Sequence, residues 1–242
     1  MLLIHGAAAT GTEWLAVLPE LRQHFTVYVM ERRGRAPSGD GPAYSIDREV
    51  EDVAAMVAAI GEPVVLVGHS YGALIVVQGM KANGGLKNVA HVILYEPPVF
   101  ANRNPGHATT LTEAKAALAA DDRDRVTELF LGTVFGKERA HAVRSSPAWP
   151  GLVLTGNTLP REMETSGGFE GRAAALRDEL KRWNVPTTML VGSESPAWMK
   201  EGTEFICSSA PACRSVTLEG QSHMANVQAP ALFVAKVLNA AR

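Results

Sequence analysis

The chain has 242 residues, 46% hydrophobic and 20% charged, which is enough for one well-buried core and gives no expectation of disorder. The net charge is −2 and no basic cluster exceeds Arg32-Arg33-Gly34-Arg35, which argues against a nucleic-acid partner. No apolar run approaches a membrane span and the first residues do not read as a secretory signal, so a cytoplasmic location without membrane partners is expected.

In chain order, Leu2-Leu3-Ile4 reads as a short strand entering a His5-Gly6 turn, and residues 25–30 as a second strand. A helix is predicted over 46–60, with Val50, Val53, Val57 and Ile60 at helical spacing. Ser45 is placed to cap it, and Asp47 and Glu49 lie near its positive end. Val64-Val65-Leu66-Val67 is short, β-branched and without polar alternation, the signature of a buried parallel strand. It leads into Gly68-His69-Ser70-Tyr71-Gly72 and a helix over 71–81, which Asn83-Gly84-Gly85 should stop. A further strand spans 89–95 and ends at Glu96-Pro97-Pro98, where the prolines force the chain out of the sheet.

From 97 to 185 the strand–helix alternation stops. The segment reads as mostly helical, with candidates at 111–120, 123–130 and 171–183. Alternation resumes with a strand at 187–192, a helix around 200–207, a strand at 215–218 and the loop Gly220-Gln221-Ser222-His223. The last helix, starting near Asn226, puts Phe233, Val234, Val237 and Leu238 on one face. The pattern predicts an α/β fold, a mostly parallel sheet with helices on both faces. Its core would comprise 1–96 and 186–242, with 97–185 inserted. Cys207 and Cys213 fit no zinc spacing; two unpaired thiols are expected, with a local disulfide as the alternative.

Ser70 sits in G-x-S-x-G between a buried strand and a helix, a sharp turn that presents its hydroxyl at the top of a sheet. A serine needs an adjacent base, and His223, in the loop after the last strand, is the candidate. His5 and His69 read as structural neighbours of the site and Trp14 as packing for the first helix. His24, His91, His107 and His141 belong to no constellation.

These motifs, together with Glu31-Arg32-Arg33-Gly34-Arg35, Ser38-Gly39 and His223-Met224-Ala225 with Pro230, resemble the α/β-hydrolase family, of the small cofactor-free esterase type, over nearly the whole length. The resemblance implies that 97–185 forms a helical lid and that the N-terminal strands are shortened, by nature or by truncation. It implies an oxyanion hole from the backbone N–H groups of Ala7 and Tyr71. It also implies an acid at position 195, where this chain has Ser195. Glu96, at the topological place used by certain haloalkane dehalogenases, is the first candidate for that acid, and Glu194 the alternative. Phe100, Phe130, Phe135, Trp149 and Met163 are candidate pocket residues, unless they form the lid's own core.

Serine at the elbow argues against the carboxylate-nucleophile chemistry of dehalogenases and epoxide hydrolases. The implied reaction is hydrolysis of a small, largely apolar carboxylic ester or lactone through an acyl-enzyme, without metal or organic cofactor. Thioester, C–C bond, perhydrolysis and hydroxynitrile chemistry stay open, as do monomer and homodimer. The alternative function is a small-molecule receptor or regulatory binding protein with little turnover, favoured only by the missing acid at 195.

Overall fold

A computed structural model describes residues 1–80 and 86–241, so the glycine stop expected at 83–85 lies outside the described residues. Six strands form one sheet: β1 (Leu2–Ile4), β2 (Tyr28–Met30), β3 (Val64–His69), β4 (Val89–Tyr95), β5 (Thr187–Gly192) and β6 (Cys213–Leu218). Their order is β2-β1-β3-β4-β5-β6, and every neighbouring pair is parallel. Expected as mostly parallel, the sheet is wholly so among the described strands.

Side-chain alternation along the strands divides the core in two. Leu2, Ile4, Leu66, Val92, Leu94 and Met189 face one side. There they pack against α2 (Ile46–Ile60), α3 (Tyr71–Gly79) and α10 (Ala197–Ser209). Leu3, Val67, Ile93, Tyr95 and Leu190 face the other side, with Trp14, Leu21 of α1 (Leu18–Leu21) and Phe233 and Val237 of α12 (Pro230–Ala240). Trp14 is fully buried there, 6.1 Å from the Phe233 ring, as its packing assignment anticipates. The Ser45 hydroxyl caps α2 by accepting from the Arg48 N–H.

Between β4 and β5 lie six α-helices: α4 (His107–Ala119), α5 (Arg123–Phe135), α6 (Lys137–Arg144), α7 (Trp149–Val153), α8 (Leu159–Gly168) and α9 (Ala173–Leu180). Ala114, Val126, Leu131, Trp149, Leu159 and Met163 form a third apolar cluster there. The helices α6, α7 and α8 escape sequence reading. In α8, Thr165, Ser166, Gly167 and Gly168 lower helix propensity, and tertiary contacts override it.

Cys207 and Cys213 are joined by a disulfide, in place of the unpaired thiols expected. The short turn from α10 back into β6 brings their Cα atoms to 4.9 Å, within bridging range. The small helix α11 (Ala225–Gln228) follows the His223 loop and leads into α12.

Candidate active site

The turn from β3 to α3 is built by close backbone approach. A Cβ on Gly72 would stand 2.3 Å from the Ile4 carbonyl oxygen, and one on Gly68 would stand 2.8 Å from the Ala73 Cα. Only glycine fits at either place. Ser70 between them has φ 51°, ψ −118°, a conformation rare for a side-chain-bearing residue. Its N–H donates to the Tyr95 carbonyl at 2.8 Å and its own carbonyl accepts from Leu74 at 3.0 Å, so the neighbouring strand β4 and the following helix α3 hold the strained turn.

His223 is buried, and its Nδ1 lies 2.6 Å from Glu96 Oε2. Glu96 is fully buried at the end of β4 with φ 49°. Its second oxygen accepts the Gly192 N–H at 2.7 Å, and its own N–H reaches the Leu190 carbonyl at 3.3 Å. These bonds fix a backbone that proline at 97 would otherwise drive to extended geometry. Burial pushes the Glu96 carboxyl up, but its hydrogen bond with His223, that ring's charge, Ser195 and the Gly192 N–H outweigh it, and the pKa is lowered. Burial lowers His223 despite the opposing pull of Glu96, and the nearby His69 lowers it further. Glu194 is exposed, on the far side of the turn that buries Ser195.

A second histidine–carboxylate pair backs the first. His69 Nδ1 hydrogen-bonds Glu13 Oε1, and its Nε2 donates to the His223 carbonyl oxygen at 2.8 Å. Glu13 Oε2 accepts the Gly6 N–H at 2.9 Å, and Oε1 also accepts from Asn226 at 3.3 Å. His5, fully buried, keeps a structural place: its Nδ1 lies 2.9 Å from the Gly6 carbonyl oxygen, and its Nε2 accepts the Arg32 N–H at 3.3 Å.

Ser70, His223, Ala7 and Tyr71 line one pocket. Its apolar wall includes two of the candidate residues, Phe130 and Met163, and Trp198 and Met199 from the first turn of α10. The three other candidates are not among its lining residues. Phe100 is core, edge-on to Phe205 at 5.3 Å. Trp149 belongs to the apolar cluster of the inserted helices, its indole N–H donating to Asp124. Phe135 is half-buried with its ring 6.2 Å from that of His223.

Sequence reasoning missed Glu162, His107, Asn104 and Ser166, which also line the pocket. His107, expected to have no role, is buried with Nε2 donating to the Met163 carbonyl at 3.1 Å. Glu162 carries a buried ion-pair network into the wall: Arg32 and Arg35 each reach its Oε1 at 3.0 Å, and Arg32 also forks onto Glu49 at 2.7 and 2.8 Å. Arg32 further donates to the Gly6 carbonyl at 2.9 Å, bracing the turn that carries Ala7.

With this geometry in view, the comparisons with known proteins agree in one direction. The model of the alpha/beta hydrolase family matches residues 1–236. The chain belongs to the alpha/beta hydrolase family. It is 25% identical over 241 residues to a pimeloyl-[acyl-carrier protein] methyl ester esterase of Aeromonas salmonicida, covering 97% of this chain and 92% of that one. It is 28% identical over 132 residues to an N-formylmaleamate deformylase of Pseudomonas putida, spanning half of this chain and 48% of the deformylase. Among solved structures, an alpha/beta hydrolase from Sphaerobacter thermophilus superposes with a TM-score of 0.84 at 28% identity, covering 99% of this chain and 91% of that one. The chain is thus an enzyme of a hydrolase family whose named relatives include esterases.

Proposed function

We propose that this enzyme hydrolyses a small, largely apolar carboxylic ester or lactone through an acyl-enzyme on Ser70. The observation that carries the reading is the 2.6 Å contact between His223 Nδ1 and Glu96 Oε2 beside a serine held at φ 51° in the same pocket. Glu96 fixes the tautomer: Nδ1 carries the proton toward the carboxylate, leaving Nε2 as the base. His223 Nε2 takes the Ser70 proton as Oγ adds to the acyl carbon. The backbone N–H groups of Ala7 and Tyr71 receive the developing oxyanion. Collapse expels the alkoxide with the proton from His223, and water, deprotonated by His223, releases the acid and restores the serine.

The pocket wall supports an uncharged substrate. Phe130, Met163, Trp198 and Met199 supply apolar surface, and among the described lining residues there is no Lys or Arg to pair with an anionic acyl group. In this reading 97–185 acts as the lid, with α8 and α5 covering the pocket, and the protein works in the cytoplasm. No specific observation favours the receptor alternative; the contact of Glu96 with His223 supports Glu96 as the acid that Ser195 cannot be.

The reading is tested by a fluorophosphonate probe with intact mass and peptide mapping, followed by a panel of short-chain esters and lactones. A stoichiometric adduct on Ser70 and turnover of uncharged esters are expected. Folded protein that takes no adduct and turns over none of the panel would overturn it.

A further inference from the structure

The pair Glu13–His69 has a proton count that geometry dictates. His69 Nε2 faces the His223 carbonyl oxygen, which can only accept, so that nitrogen carries a proton. His69 Nδ1 faces a carboxylate oxygen, so a proton lies between them as well. The carboxylate of Glu13 already accepts from the Gly6 N–H and from Asn226, and such donors favour the anion. The shared proton therefore belongs to the ring.

We propose that His69 is a permanent imidazolium, paired with Glu13, that acts as a positioning residue for the reaction: it clamps the His223 loop to the His5-Gly6 turn and holds His223 neutral. Three segments converge on this pair. Glu13 grips the turn that carries Ala7, His69 directly precedes Ser70, and its Nε2 anchors the backbone of His223. The His69 and His223 rings lie 4.7 Å apart at 45°, so a fixed positive charge on one opposes a second on the other.

The charged groups acting on the two rings are Glu13 and Glu96, with His5 acting on Glu13 and Tyr95 close to both rings at 5.1 and 6.0 Å. Burial alone would discharge His69, but the charge and hydrogen bond of Glu13 overcome it, and the ring is held above its ordinary range. His223 has the opposite balance beside Glu96. The two rings share a carboxylate contact and differ in charge.

Two experiments decide the proposal. In ¹⁵N–¹H spectra of the uniformly labelled wild-type protein, the His69 ring, assigned through its own backbone, should keep both N–H protons from about pH 5 to about pH 8. A His69 ring with one N–H at about pH 6 would overturn the proposal. In His69→Gln, whose amide keeps a donor for the His223 carbonyl but carries no charge, the acid limb of kcat/KM should move up by about half to one pH unit. The plateau kcat should fall less than about tenfold with KM unchanged, because the clamp is kept. A purely structural His69 would lower the plateau and leave the limb in place, which would also overturn the proposal. The kinetic arm rests on the hydrolase reading. The spectroscopic arm does not, so its failure and a failure of Ser70 to label are separate results, and it needs no folded variant.

Discussion

Glu96–His223 and Glu13–His69 are both buried histidine–carboxylate contacts, yet their second ring nitrogens face different things. In His69 that nitrogen donates to a backbone carbonyl, and the ring is committed to holding loops together. In His223, Nδ1 is taken by Glu96 and the other nitrogen is left to the pocket that Ser70 shares. A carboxylate beside a histidine therefore does not define a base. The partner of the other nitrogen decides whether the proton can move.

The largest effect that bears on this contrast is expected from Ser70→Ala, which should lower kcat by about 10⁶ if the pocket's histidine serves that hydroxyl. Glu96→Ala should cost about 10⁴ with folding intact, whereas Glu194→Ala, at an exposed turn, should stay near wild type. Steady-state kinetics on any ester turned over checks both, and equal losses in the two glutamate variants would erase the distinction.

Glu13→Gln should act on stability, by about 3–5 kcal/mol between pH 4.5 and 6.5, because it leaves a buried imidazolium that must either stay unpaired or lose its proton. The pH dependence has a definite sign. Glu13 is held down to about 2, so its contribution is complete above its ordinary 4.5 and lost as pH falls toward 2. His69 is held above its ordinary 6.5, so its contribution is complete below 6.5 and lost as pH rises through the folded value. Urea unfolding should show the gap between wild type and variant widest between 4.5 and 6.5 and closing on either side. The smallest effect concerns His223 itself: burial holds its pKa below 6.5, so the wild-type acid limb of kcat/KM should have its midpoint below that value.

Much of this was legible in the residues. The elbow could be read because two glycines flank a serine between an apolar strand and a helix, and the structure shows the contacts, Ile4 oxygen and Ala73 Cα, that exclude a Cβ. The helix at 46–60 and the strands at 89–95 and 187–192 carry clean apolar patterns and fall where expected. The contact of Glu96 with His223 was legible only as one of two options, since it depends on which carboxylate the turn after β5 buries. Glu13 and Glu162 carried no local signal. Glu13 lies in a turn of ordinary polarity, and Glu162 in a helix of poor propensity, and each gains its place from partners far along the chain. The disulfide depends likewise on the tightness of one helix–strand turn.

The central claim, that Glu96 orients His223 toward Ser70, is tested most directly by the rate of fluorophosphonate labelling of Ser70 in wild type, Glu96→Gln and Glu194→Gln, read by intact mass. Wild type and Glu194→Gln should label to one adduct per chain at similar rates, and Glu96→Gln should label slower by about 10³ or more. Labelling of folded Glu96→Gln at the wild-type rate would contradict the account.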